Sequence, residues 1–489
     1  MPLPDNNVPW PPRQWAGELA EMRIDDAWYS GDPTKLATVY RDQPAEQSGR
    51  RRLWGRDRTP APGRPDTRLH IPMPADVACT SARLLFAEPP TLTVEDTATQ
   101  ARLDEITDAT GLANTLLEAA EVSAALGGVY LSAAWDAEIG PRPLLTAVHH
   151  DAAVPEIRFG HLVAVTFWSE LERTGSQVLR RLERHERGMI SHGLYLGTVD
   201  NLGRAVPLTE HPTTAAYVDS LGPSGVIETG IDTVTAAYLP NIGPNRKHRG
   251  SPLGRSDFQG VHHLFDALDS VWTSWMRDIR LARARLIVPA GYLRDRGPGN
   301  GATFDEDRDI WHALDIPPTE TGAGITLSQF AIRVEEHQRS ADALVRQIAE
   351  SAGYSAQTFG LDGGSTAMTA TEVDAREHRS MTTRKTKARY TCPPLAGILG
   401  TLLQLDRALG FSTVTPERPR VAVGPAVAED PTSTAQTLSL LAQAQAVSTE
   451  TKVRILHPEW DRNAVAAEVQ RIHAETGLAI ADPVPAFVS

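Results

Sequence analysis

From Phe258 onward one pattern limits what this chain can become. Phe258, Val261, Phe265, Leu268, Trp272, Trp275, Ile279, Ala282 and Leu286 recur at alternating steps of three and four residues. That is a 3.5-residue apolar stripe held over four heptads, the signature of a long helix with one narrow seam. About 30 helical residues span roughly 45 Å. A helix of that length buries such a seam only against other long helices lying nearly parallel to it. The two tryptophans add large contact area, and their indole N–H groups need partners. An ordinary core helix of a bundle would carry the same stripe.

The rest of the chain is globular in composition. Of 489 residues, 41% are apolar and 22% charged, enough for about three domains. Asp and Glu number 61 against 48 Lys and Arg, a formal net charge of -13. Only five of the cations are lysine: Lys35, Lys247, Lys385, Lys387 and Lys452. Such a surface does not suit a protein that coats nucleic acid, because counterion release requires a basic face. Cys79 and Cys392 are the only cysteines, which excludes a disulfide framework or a cysteine-rich zinc site. No apolar run is long enough to predict a membrane-spanning helix. The start, MPLPDNNVPWPP, lacks a basic-then-apolar leader pattern, so a cytoplasmic-type protein is expected.

Periodicity divides the chain. Residues 1–69 read as a peripheral arm, proline-rich at first and with a short helix over 13–29. Arg41, Arg50, Arg51, Arg52, Arg56, Arg58 and Arg64 then make it locally basic, as a solvated arm or one that touches a partner. Helices are predicted over 75–87 and 101–126. Between 128 and 240 six short β-rich segments alternate with turn residues: VYLSAAW, LLTAVHH, LVAVTFW, QVLRRLE, GLYLGTV and TVTAAYL. After the heptad helix, 286–332 reads as a small β insertion around a polar glycine-rich loop. A second helix follows from about Ser340. GLDGGST, Gly360 to Thr366, precedes a third long helix, whose start the T-x-x-E pair Thr369 and Glu372 would cap. Pro393–Pro394 should break or kink that helix. A strand at 420–424 and helices near 433–446, 449–457 and 461–476 complete the chain, with Asp461 a candidate cap.

No catalytic constellation emerges. GLDGGST lacks the spacing and the lysine of a phosphate loop. His149–His150 and His262–His263 are adjacent pairs, which diverge on a strand or a helix and so cannot chelate one metal. There is no G-x-S-x-G elbow, and the acidic turn DEDRD at 305–309 suits solvent better than a metal. No cofactor, metal or catalytic residue is therefore expected. One local anomaly remains. Arg376, Arg379, Arg384, Lys385, Lys387 and Arg389 face a single Glu377 within fourteen residues. They could guide a polyanion or pair with acidic surface on the same or a neighbouring subunit. Arg277, Arg280, Arg283 and Arg285 also crowd the end of the heptad helix, while Asp257, Asp266 and Asp269 lie in its first half. That polarity by itself suits the helix dipole.

Several stretches together resemble a known family. These are IPMPADVACTSARLLFAEPP (71–90) with a helix and then GGVYL, and SPLGRSDFQGVHHLFDALDSVWTSWMRDIRLARARLIVP (251–289). GSTAMTATEVDAREHRSMTTRKTKARY (364–390), DPTSTAQTLSLLAQAQAVSTETKVRIL (430–456) and AEVQRIHAE (467–475) extend the likeness. In order and spacing the chain resembles the portal proteins of long-tailed double-stranded DNA bacteriophages, over most of residues 70–476. The resemblance implies an α+β portal fold: a mixed α/β wing, a long-helix stem, a small α/β clip and a helical C-terminal crown. Mapped here, the wing is 70–250, the first stem helix 251–285, the clip 286–335 and the second stem helix 336–356. The tunnel loop is 357–369, with Gly360, Leu361, Asp362, Gly363, Gly364, Ser365 and Thr366 at its centre. The long kinked helix and its return to the wing take 370–424, and the crown 425–489. Stem packing would fall to Phe258, Phe265, Leu268, Trp272, Trp275 and Ile279.

The resemblance further implies a non-enzymatic ring, usually of twelve subunits, at one capsid vertex of the virion, assembled in the host cytoplasm. Its expected partners are further copies of itself, the large terminase subunit, a head-tail adaptor, the major capsid and scaffolding proteins, and double-stranded DNA in transit. Membranes are not among them. DNA or inter-subunit contact would fall to Arg376, Arg379, Arg384, Lys385, Lys387, Arg389, Arg280 and Arg283. A DNA-processing nuclease and another minor head protein are the alternatives. The acidity fits a channel wall along which DNA slides, and excludes a clamp.

Overall fold

The structure is a computed structural model. It describes residues 3–42, 68–136, 138–215, 218, 225–282, 285–287, 294–295, 302–303, 326–328, 332–361, 370–424, 438–444, 446–457 and 462–475. The chain forms two compact units, Met1–Gly424 and Pro425–Ser489. The first is a mixed α+β body.

Its helical layer begins earlier than the arm reading allows. Helices α1 (Ala16–Ser30) and α2 (Pro33–Asp42) lie beside α3 (Met73–Phe86). Trp28 is wholly buried, with Leu19 and Met22 beside it in one core with Val77 of α3. Trp10 is buried as well, edge-on to Trp168 at 6.2 Å. The backbone of residues 7–10 bonds to Asp200, Leu202 and Gly203. Residues 3–42 are thus not peripheral: they belong to the core and shield a sheet edge that would otherwise be open to another chain. The arginines from Arg50 to Arg64 lie outside the described residues.

The helix predicted over 101–126 is two helices, α4 (Thr97–Thr110) and α5 (Leu112–Leu126). Gly111, at φ +62°, separates them, a left-handed turn that glycine adopts without strain. Asp96 caps α4 by accepting from the Thr99 N–H at 2.9 Å. Helix α5 ends at Gly127, where an added Cβ would lie 2.9 Å from the backbone of Arg255 and Ser256. The segment before the heptad helix therefore passes directly over the end of α5.

The β region holds two antiparallel sheets. Strands β2 (Gly128–Trp135) and β3 (Pro143–His149) pair with β10 (Ala236–Pro240) in the order β10-β2-β3. The larger sheet runs β4-β5-β6-β7-β8: β4 (Ala153–Arg158), β5 (His161–Thr174), β6 (Gln177–Glu186), β7 (Met189–Thr198) and β8 (Asn201–Val206). Strand β9 (Val226–Glu228) also pairs with β7. All six β-rich sequence segments are strands, whereas β4, β8 and β9 escape the sequence reading because they are short and flanked by turns. A further strand, β1 (Thr91–Thr93), pairs with Arg420–Ala422, the strand foreseen at 420–424.

Three long helices complete the unit: α6 (His262–Leu281), α7 (Val334–Ala352) and α8 (Ala370–Ala408). Helix α8 runs through Pro393 and Pro394 without the foreseen break. The missing N–H groups would have served the carbonyls of Arg389 and Tyr390, both on the exposed side of the helix. Leu395, Ile398, Leu399, Leu402, Leu403 and Leu405 then bury themselves in the core that β10, β2 and α3 share, and Arg418 donates to the Pro393 carbonyl at 2.8 Å. Packing outweighs the two lost bonds. In the second unit, Thr449–Leu456 and Arg462–Glu475 bury Val453 and Val465. Ser448 caps the former helix, while Asp461 lies outside the described residues.

His150 sits between the two sheets, buried, its Nδ1 2.9 Å from the Leu126 carbonyl. Burial holds its pKa down, from 6.5 to about 4. A lowered pKa means the folded state is fully favoured above pH 6.5 and loses that advantage as pH falls towards 4. His150→Gln should remove up to roughly 3 kcal/mol of acid-induced destabilisation over this window, measured by urea unfolding at a series of pH values.

Candidate functional site

The two helices flanking the foreseen clip form an antiparallel hairpin. Asp278, near the end of α6, takes Arg333 and His337 at 3.0 Å each, at the start of α7. These contacts hold the Asp278 carboxyl below its usual pKa, His337 first and then Arg333. Trp275 stacks flat on His337 and meets Trp272 at 5.0 Å.

The apolar stripe splits into two halves. Phe258, Phe265 and Leu268 are buried with Trp28, Ile348 and Tyr354 inside the chain. Trp272 and Trp275 are only half-buried. Ile279 is 41% exposed, as are Ile332 (38%) and Val334 (44%) at the same end of the hairpin. The near half of the seam is this chain's own core; the far half is open. The aspartates of α6 also have partners beyond the helix dipole. Asp269 accepts from the Tyr40 hydroxyl and the Ile71 N–H, and Asp266 pairs with Arg68 at 2.6 Å.

At the base of the hairpin lies a buried polar knot. Asp257 accepts from Lys387 Nζ at 2.5 Å, from the Tyr354 hydroxyl at 2.7 Å and from Asn241 Nδ2 at 2.9 Å. Lys387 also donates to Ser81 at 2.6 Å. Burial pushes the Lys387 pKa down, opposed by the Asp257 charge. Lys387 is therefore not a DNA or inter-subunit contact: it is 1% exposed and already neutralised.

Helical spacing explains why the basic run divides. Ser380, Arg384, Lys387 and Thr391, at steps of four, three and four, turn inward. Arg384 donates to the Leu84 carbonyl at 2.5 Å and to the Gly424 carbonyl, and burial lowers its pKa. It too is withdrawn as a surface contact. His378, Thr382, Lys385 and Arg389 repeat the same steps on the exposed face, with Arg379 exposed beside them. Arg280 is exposed at the end of α6, and among the described residues its Nε reaches the Met276 carbonyl at 3.3 Å. The side chains of Arg376 and Arg283 lie outside the described residues.

The loop foreseen as lining a bore is anchored on the same helix. Ser380 receives the Ser355 N–H at 2.9 Å and meets the Thr358 hydroxyl at 2.9 Å, and Thr383 donates to the Gly353 carbonyl. The chain then reaches Gly360, at φ +74°, and Leu361. Asp362, Gly363, Gly364, Ser365 and Thr366 lie outside the described residues, as do Thr369 and most of the clip at 286–335. Sequence spacing does not group Asp257, Tyr354, Ser81 and Asn241 with Lys387, since Asp257 lies 130 positions and Ser81 306 positions from that lysine. Among the described residues no His, Cys, Asp and Glu group could hold a metal, and no helix is long and apolar enough to cross a membrane.

Comparison with known proteins adds structural similarities. No family model and no curated protein matches the chain. It is similar to a chain of the neck of a native GTA particle computed with C12 symmetry, at 13% identity and a TM-score of 0.41. That match covers 92% of this chain and 95% of the other. It is also similar to a chain of the neck of an empty GTA particle computed with C6 symmetry, at 14% identity and a TM-score of 0.42, covering 80% and 91%. Neither likeness is close enough to assign a family.

The division of the basic helix is testable. Replacing Lys387 with Met strands the Asp257 carboxylate in the core and should cost about 3–5 kcal/mol. Reversing Lys385 and Arg389 together to Glu should change subunit stability by less than about 1 kcal/mol. Chemical denaturation of the two variants checks the contrast.

Proposed function

We propose that this chain is the subunit of a portal-type head-to-tail connector ring. The observation that carries the reading is the hairpin of α6 and α7, whose apolar seam is buried at its base and open at its far end. Trp272, Trp275, Ile279, Ile332 and Val334 gain full burial only against the hairpins of neighbouring copies. Contacts of this head-to-tail kind close into a ring when the rotation between subunits closes. The sequence resemblance supports the same reading, with twelve copies the expected number. The ring would sit at a capsid vertex of the virion, conduct DNA during packaging and ejection, and dock the terminase, the adaptor, and the capsid and scaffolding proteins. No catalysis is proposed for it. The exposed face of α8, with Arg379, Lys385 and Arg389, is the basic surface offered to DNA or to a neighbour. The loop from Gly360 to Thr366, anchored through Ser380 and Thr383, is the element offered to the bore.

Mass measurement and electron microscopy of the purified 53.1 kDa chain should show rings of about twelve copies. Ile279→Asp, at a position exposed in the single subunit, should leave subunit stability within about 0.5 kcal/mol and abolish the ring. Deleting Leu361 to Ser365 should spare the ring and impair genome packaging or retention. A wild-type chain that stays monomeric even when co-expressed with capsid partners would overturn the reading.

A further inference from the structure

The β4–β5 turn carries a residue that no need of the subunit itself explains. Phe159 has φ +50° and is fully exposed. Gly160 follows at φ +80°, and Arg158 pairs across to His161. This is a two-residue hairpin turn with both central residues left-handed, positions that favour Asn, Asp or Gly. A bulky aromatic residue there is strained, and here it also lies wholly in water. The turn projects. The last pair between β5 and β6 is Val165 with His185, so residues 161–164 pair with β4 alone. The tip reaches roughly 13 Å beyond that pair.

The same sheet carries a cleft of about 530 Å³ between β3 and the middle of β5 and β6. Val148, Phe167 and Trp168 line it, with Asp151 and Ser169 beside them. A cavity of about 150 Å³ already admits a benzene ring. The cleft lies some seven residues along β5 from the tip, roughly 23 Å, so Phe159 cannot fill it within one chain. One charge pair also matches. Arg158 and His161 flank the tip, and neither is in an ion pair among the described residues. Asp151, Glu170 and Glu183 stand at the cleft, together with Arg181 and His149. Glu170 is paired with Arg173, and Glu183 with Arg181 and His185. Asp151 has no ion-pair partner among the described residues, and burial pushes its pKa up.

We infer that Phe159 is an assembly knob that seats in the Val148, Phe167 and Trp168 cleft of the next copy of this chain, with Arg158 meeting that copy's Asp151. The inference rests on the ring reading and adds to it a contact outside the hairpin seam. Knob and hole at separate places on one subunit form a head-to-tail contact.

The test is assembly of the full chain followed by mass photometry across a dilution series. Phe159→Asn relieves the backbone strain, so the subunit should melt at the wild-type temperature or above it, while assembly weakens at least tenfold. Ser169→Trp, which fills the cleft from an exposed position, should weaken it similarly. Arg158→Asp should also weaken it, and adding Asp151→Arg should restore it. Wild-type rings alongside Phe159→Asn rings of unchanged dilution behaviour would remove this contact alone. A monomeric wild-type chain would remove the ring and the contact together.

Discussion

The arrangement of the long helices depends on one buried ion pair, Lys387 with Asp257. Asp257 lies just ahead of α6, Lys387 in the middle of α8, Tyr354 just past α7 and Ser81 on α3. Asn241, beyond β10, supplies the third donor to the carboxylate. Such a pair adds little stability over a well-packed apolar substitute, because removing two charges from water offsets most of their attraction. Breaking it is costly, since a lone charge would remain in the core. Its effect is therefore on register. Sliding α8 by one residue, or α6 by one turn, would separate the partners, so the knot selects one alignment of elements that apolar packing alone would leave less defined.

From that fixed base the hairpin of α6 and α7 extends with its seam half satisfied. The contrast between wholly buried Phe265 and 41% exposed Ile279 on one stripe separates the part of the seam that serves this chain's own core from the part that the proposed ring would cover. Burying further apolar area of this kind contributes roughly 25 cal/mol per Å². Repeated at every interface of the proposed ring, modest areas would suffice to hold it together. Conversely, the cations turned inward on α8 remove charge from the surface, which leaves the exposed basic face narrow in an acidic body. A wall of that kind would let a polyanion pass without gripping it.

Much of this order is legible in the sequence. The six β-rich segments and the strand near 420 appear where alternation places them, because local periodicity reports which faces can be buried. The heptad helix is shorter than its stripe, since only His262–Leu281 is helical, with Phe258 and Val261 ahead of it and Leu286 in a strand opposite Leu327. Misreadings arise where distant residues intervene. Pro393–Pro394 does not end α8, because a leucine-rich face beyond it packs into the core. Residues 3–42 are not an arm, because Trp10 and Trp28 find pockets built by strands and helices far along the chain. Gly111 divides a helix whose apolar pattern runs straight through it.

The sequence alone thus determined the alternation of elements, the existence of a long seam and the concentration of cations between Arg376 and Arg389. Only the tertiary structure decided which cations are available. Lys385 and Lys387 are two residues apart and chemically identical, yet one faces water and the other neutralises Asp257. The 3.6-residue turn separates the two side chains, but which side of the helix meets the core depends on partners more than a hundred residues away. Spacing along a chain carries no record of those partners until the chain has folded.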